Sequence, residues 1–218
     1  MLALDSDHDM EFCWWDIAPY IRAKPEKSIT GYVRIGVTVL KYLKDIQEPG
    51  MGTWYFEIDN NGMAYRQMVY HNDGICITSN RKHELYHFML AEHPLDSQES
   101  YYQEMSQAEF EELWHEQLQL GMKDWHRTQS KFPIGTRVEG YIEAFFPQGT
   151  LINLLESQAV GITNTAVLKS ETPAEWMYPR HRVIAEVTGY DEVNQWVLLT
   201  RAEVRGSLCE KAEMDPYT

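Results

Sequence analysis

The sequence predicts an α+β N-terminal domain followed by an all-β, five-stranded barrel. Three observations carry this. Two Asn/Asp-Gly turns join three aromatic and β-branched runs between Gly52 and Thr78. A capped amphipathic stretch begins at Ser106, and five short strand patterns punctuated by glycine follow between Thr136 and Thr200.

The chain has 218 residues, 44% of them hydrophobic and 24% charged, enough apolar material for one large or two small cores. The boundaries follow from composition: 1–127 as the α+β domain, 132–205 as the barrel, and 206–218 as a tail.

From Glu11 to Gln47 the chain opens on Cys13-Trp14-Trp15 and a proline-containing segment, Ala18 to Pro25. Across Ile29 to Ile46, Val33, Ile35, Val37 and Val39 alternate with Arg34, Gly36 and Thr38, the period of a strand. Val33, Val37, Leu40 and Leu43 also share a helical face, so the segment reads as a strand running into a short helix.

Next, Gly52 to Asp59 is followed by Asn60-Asn61-Gly62, Met63 to His71 by Asn72-Asp73-Gly74, and Ile75 to Thr78 completes a three-stranded meander. Asn-Gly and Asp-Gly supply the positive φ that tight hairpins require. Such a sheet needs a cover on one face. Ser106-Gln107-Ala108-Glu109 is a capping box, and Phe110, Leu113, Trp114, Leu118 and Met122 then form one apolar stripe opposite Glu111, Glu112 and Glu116. The polar run Thr128 to Lys131 reads as a linker.

The barrel strands are Thr136 to Phe146, Gly149 to Leu155, Ala159 to Thr163, Arg182 to Val187 and Gln195 to Thr200. Short strands, glycines at bends and a longer excursion between the third and fourth suit a small Greek-key barrel of the OB type.

These residues resemble the S1 type of OB-fold RNA-binding domain. The resemblance rests on Gly140-x-Ile142, Gly149-Thr150-Leu151-Ile152, Gly161 to Ala166, Val183 to Val187, Asp191 and Leu199-Thr200, about a third of the chain. It implies a binding module without catalysis, with single-stranded RNA as the candidate ligand. The family's two stacking aromatics fall on Gln148 and Leu151, and its His falls on Asn164. The binding face implied for this chain is therefore Tyr141, Phe145, Phe146 and Trp196 for stacking, with Arg180, Arg182 and Asp191 beside them. The first half is similar to small uncharacterised bacterial proteins through Trp54 to Asp59, Ala64 to Gln67 and the Ser106 helix, which implies no activity.

Charge points elsewhere. Formal net charge is -14, and residues 1–132 carry 12 Lys/Arg against 21 Asp/Glu, residues 133–205 carry 6 against 9. No segment has the basic excess that phosphate neutralisation uses. An acidic chain suits solubility, or a basic protein partner, so an inhibitor-like or immunity-type role is the alternative.

His83-Glu84-Leu85-Tyr86-His87, with His93 beyond, has zinc-hydrolase spacing. Leu90 stands where the extended motif needs glycine, so the expectation is no metal, and a short amphipathic helix in which Tyr86, Phe88 and Leu90 pack. Phosphate-cradling loops and nucleophile elbows are missing, and no cofactor is expected. Cys13, Cys76 and Cys209 are odd in number and far apart, which excludes a disulfide framework. No run of about 18 apolar residues is present. With an acidic start at Met1 to Asp7, this leads to a cytoplasmic expectation without a membrane partner.

Overall fold

The structure, a computed structural model, describes residues 39–45, 52–84 and 87–208. These belong to one compact unit, Thr38–Thr218. The aromatic entry at Cys13-Trp14-Trp15, the segment 18–25, the alternation at 33–37, Leu85, Tyr86 and the tail from 209 lie outside the described residues.

The first half is a five-stranded antiparallel sheet, in the order β4-β3-β2-β1-β5. Its strands are β1 (Lys41–Asp45), β2 (Thr53–Ile58), β3 (Ala64–Tyr70), β4 (Cys76–Thr78) and β5 (Tyr102–Glu104). The expected meander is present as β2-β3-β4, turning at Gly62 (φ 83°) and Gly74 (φ 86°). At the first turn Asp59 Oδ1 accepts the amides of Asn61 and Met63, which holds the loop in shape before glycine reverses it. The sheet is wider than the meander because β1 and β5 extend it.

β1 corrects the expected helix over the last residues of the 29–46 segment. Tyr42 packs with Met68, Phe110, Trp114 and Leu118 on one face, whereas Leu43 packs with Phe56, Ile58 and Ala64 on the other. A strand buried on both faces has adjacent apolar residues, which also satisfies a helical period.

α1 (Gln107–Leu120) covers the Tyr42 face. Ser106 Oγ accepts the Glu109 amide and the Glu109 carboxylate accepts the Ser106 amide at 2.8 Å, so the capping box is complete. α2 (Met122–Lys131) follows after Gly121. The stretch Thr128 to Lys131, expected as a linker, is the last turn of this helix. Its polar residues are the solvent side of a helix whose Trp125 is buried with Phe132 in the barrel core.

The barrel is closed, in the order β10-β8-β7-β6-β9, from β6 (Arg137–Phe146), β7 (Gly149–Leu154), β8 (Val160–Thr163), β9 (His181–Asp191) and β10 (Trp196–Leu208). β8 and β10 pair in parallel and the other neighbours antiparallel, a mixed barrel that fits an OB-like fold. Between β8 and β9 lie α3 (Thr165–Glu171) and a 3-10 turn, Ala174–Trp176. Ile142, Ile152, Leu154, Val183, Val187, Val197 and Leu199 fill the interior. Gly140 is required on β6: a Cβ there would lie 2.3 Å from the Asn153 carbonyl oxygen.

Among the described residues no helix is long and apolar enough to cross a membrane.

Candidate functional site

In OB barrels the outer face of the second and third strands, with the adjoining loops, is the usual platform for oligonucleotides. Here those strands are β7 and β8. Side chains alternate across them, so Ile152 and Leu154 point inward and Leu151 outward. Likewise Trp196 and Leu198 of β10 face out while Val197 and Leu199 face in.

The outward set is nevertheless buried. Leu151, Val160, Ile162 and Trp196 form a second apolar cluster with Ala144, Phe146, Leu198 and Phe88 packed on it. Phe88 lies edge-on to Phe146 at 6.0 Å between centroids, and Phe146 lies edge-on to Trp196 at 6.1 Å. Polar contacts fasten the same seam. The Trp196 indole donates to the Asn80 carbonyl at 2.8 Å, and the Asn80 side chain donates to the Asn194 carbonyl at 2.9 Å. Lys82 pairs with Glu143 at 2.9 Å, and the Gln148 amide donates to the Tyr65 carbonyl. Both family stacking positions are thus occupied from within: Leu151 is 0% exposed and Gln148 holds the sheet.

The residues expected at the binding face therefore part company. Trp196 (1% exposed) and Tyr141 (4%) are buried and present no ring face to solvent. Phe146 is half-buried under Phe88, and only Phe145, at 42%, is open. Asp191 shapes the β9–β10 turn, its Oδ1 accepting the amides of Val193 and Asn194 and its Oδ2 the Asn194 side chain at 2.7 Å. Arg182 is exposed and paired with Glu139, whereas Arg180 is half-buried with its amide donating to Ile142 at 2.7 Å. Asn164, at the family's His position, caps α3 by accepting the Val167 amide at 3.0 Å. Sequence reasoning gave Phe88 only as a packing residue of a short helix, and missed Asn80; the two close the face. The local signal for Phe88 was its place at the head of the apolar run Phe88-Met89-Leu90.

At the His-Glu-x-x-His motif the described residues do not show the expected helix. His83 and His87 form an antiparallel bridge, each amide donating to the other's carbonyl at 2.8 and 2.9 Å, with His87 at φ 50°. Phe88 and Leu90 do pack, but against the barrel and the sheet. Among the described residues no group of three His, Cys, Asp or Glu is placed to hold a metal ion. Cys76 is half-buried, and burial pushes its thiol up to about 11, so it is a poor nucleophile at neutral pH.

The basic residues of the sheet half are absorbed by the fold. Arg66 is 3% exposed. It bridges Glu57 and Glu111 and lies 5.0 Å from the Phe110 ring centre and 5.2 Å from that of Trp114. Arg81 donates to Gln195 at 2.9 Å, Lys41 to Ser97 at 3.4 Å, and Lys44 sits 5.8 Å over Tyr55. Lys82 is held by Glu143 as above. Meanwhile Asp73, Glu92, Asp96, Glu99, Glu104 and Glu112 are exposed. The consequence is a surface more acidic than composition alone implies.

Compared with protein families, with curated proteins and with solved structures, the chain gives no match.

Proposed function

We propose that this protein is a non-catalytic cytoplasmic binding protein whose acidic sheet half engages a basic partner, with an S1-like barrel as its platform. One observation carries the reading: every described Lys and Arg between residues 39 and 120 is at least partly buried and engaged, while most of the described carboxylates there, Asp73, Glu92, Asp96, Glu99, Glu104 and Glu112 among them, stand in solvent. A partner of opposite charge gains both steering and register from such a surface. The barrel supports the reading by its closed outer face, since stacking positions filled by Leu151 and Gln148 leave no platform for bases.

Single-stranded RNA is the second reading, and exposed Phe145 and Tyr178, with Arg182 exposed on the same barrel, favour it. Fluorescence anisotropy of the full chain distinguishes the two. A labelled nona-arginine peptide is expected to bind at low ionic strength and to weaken as salt rises, with a short labelled RNA unbound. RNA binding without peptide binding would reverse the order of the two readings.

A further inference from the structure

We infer that the free edge of β5, with the cleft beside it, is a groove in which an extended basic peptide of the partner adds as a further strand; this rests on the basic-partner reading above.

Among the described residues β5 pairs with β1 alone, at the end of the order β4-β3-β2-β1-β5. The Met105 amide donates to the Tyr42 carbonyl at 3.0 Å, which makes Lys44 and Gln103 the next hydrogen-bonded pair along the ladder. The backbone groups of Tyr102 and Glu104 therefore point away from β1. The Tyr102 amide follows this rule, donating outward to the Glu99 carbonyl at 3.0 Å. That leaves the Tyr102 carbonyl and both the amide and the carbonyl of Glu104, which have no backbone partner among the described residues. Glu104 is exposed, so these groups are a template open to an incoming chain.

The side chains beside the edge select the kind of chain. Lys44 stands opposite Tyr55 of β2 and Gln103 of β5, and directly opposed residues share a face, here the one that α1 covers. Tyr55, Lys44 and Gln103 floor a cleft of about 330 Å³ whose wall is Glu109, Glu112 and Leu113 of α1. Met105 and Glu104 complete the lining, so three carboxylates there meet one cation. That cation, the Lys44 ammonium, lies 5.8 Å from the Tyr55 ring centre. A strand added to β5 places every second side chain on the α1 face, beside Gln103. A lysine or arginine at that position lays its aliphatic stem along Leu113 and Met105 and its charge among the carboxylates. Backbone bonds at the edge recognise an extended chain, and the acidic cleft selects a basic one.

The test uses the full chain and three labelled peptides in fluorescence anisotropy at low ionic strength: nona-arginine, an alternating arginine–valine octapeptide, and an arginine–proline octapeptide of the same charge. Proline has no amide hydrogen and does not join a ladder, so the arginine–proline peptide is expected to bind about ten-fold more weakly than the arginine–valine one. Glu104→Pro removes the outward donor as well as the charge, and Glu104→Gln the charge alone. The first is expected to weaken arginine–valine binding about five-fold beyond the second. Glu112→Gln is expected to weaken it about three-fold, and Glu92→Gln, an exposed carboxylate that does not line the cleft, less than about two-fold. Circular dichroism confirms that each variant is folded, and the comparison of the two octapeptides needs no variant. If the octapeptides bind equally, if folded Glu104→Pro binds like Glu104→Gln, or if nona-arginine alone binds, the groove is wrong while the acidic-surface reading stands. If none of the three peptides binds, both are overturned. A dimer of the unaltered chain in sedimentation that Glu104→Pro dissociates would give the edge to a second copy and likewise overturn the groove.

Discussion

Replacing Arg66 by Ala tests whether the buried ion pair holds the helix to the sheet. Its guanidinium lies between Glu57, whose side chain is 6% exposed, and Glu111 of α1, at 39%. The Nε also donates to Glu57 at 3.0 Å, and Nη1 to Glu111 at 3.0 Å. Removing one partner of a buried pair leaves an uncompensated charge and costs about 3–5 kcal/mol. The two ring contacts, each of order 0.5–1 kcal/mol, lie within that figure because the same truncation removes them. Set against a typical domain stability of about 5–15 kcal/mol, this is about a fifth or more of the total. Glu111→Gln, by contrast, touches a half-exposed carboxylate and is expected to cost less than about 1 kcal/mol. Urea unfolding followed by far-UV circular dichroism measures both. A loss below about 1 kcal/mol for Arg66→Ala, or equal losses for the two variants, would refute the reasoning.

Trp196→Phe keeps an aromatic ring on the outer barrel face but removes the donor to the Asn80 carbonyl, which is buried. The expected loss is about 1–3 kcal/mol in the same urea experiment, and an unchanged midpoint would mean that the seam does not depend on that bond. Ser106→Ala removes the cap of α1 and should cost about 1 kcal/mol, read as a lower thermal midpoint. The Ser106 hydroxyl and amide hold the Glu109 carboxyl below its usual range. A depressed folded value means this linkage is present above the unfolded Glu range, near about 4.3, and lost as pH falls through the folded value. The gap between the natural chain and Ser106→Ala should therefore narrow in acid, and a gap that widens there would contradict the capping box.

The sequence by itself determined the elements whose cause is local. Asn61-Gly62 and Asp73-Gly74 mark hairpins because glycine reaches positive φ without a Cβ clash. Ser106 and Glu109 start a helix because each satisfies a free amide of the other's turn. Glycine-punctuated alternation from Thr136 to Thr200 encodes strands that close on one another. What the tertiary structure alone decided is which of two apolar faces meets what. Tyr42-Leu43 is a helical doublet or a strand buried on both sides, and only the arrival of α1 on one face and Leu90, Ala91 and Leu95 on the other selects the strand. Leu151, Ile162 and Trp196 read as barrel strand residues whether their outer face meets solvent, a ligand or the protein itself. Phe88 and Asn80 settle that, from more than sixty residues away in sequence from Leu151. Periodicity records that a side chain leaves water, but not the identity of its neighbour, because hydrophobic burial is non-directional.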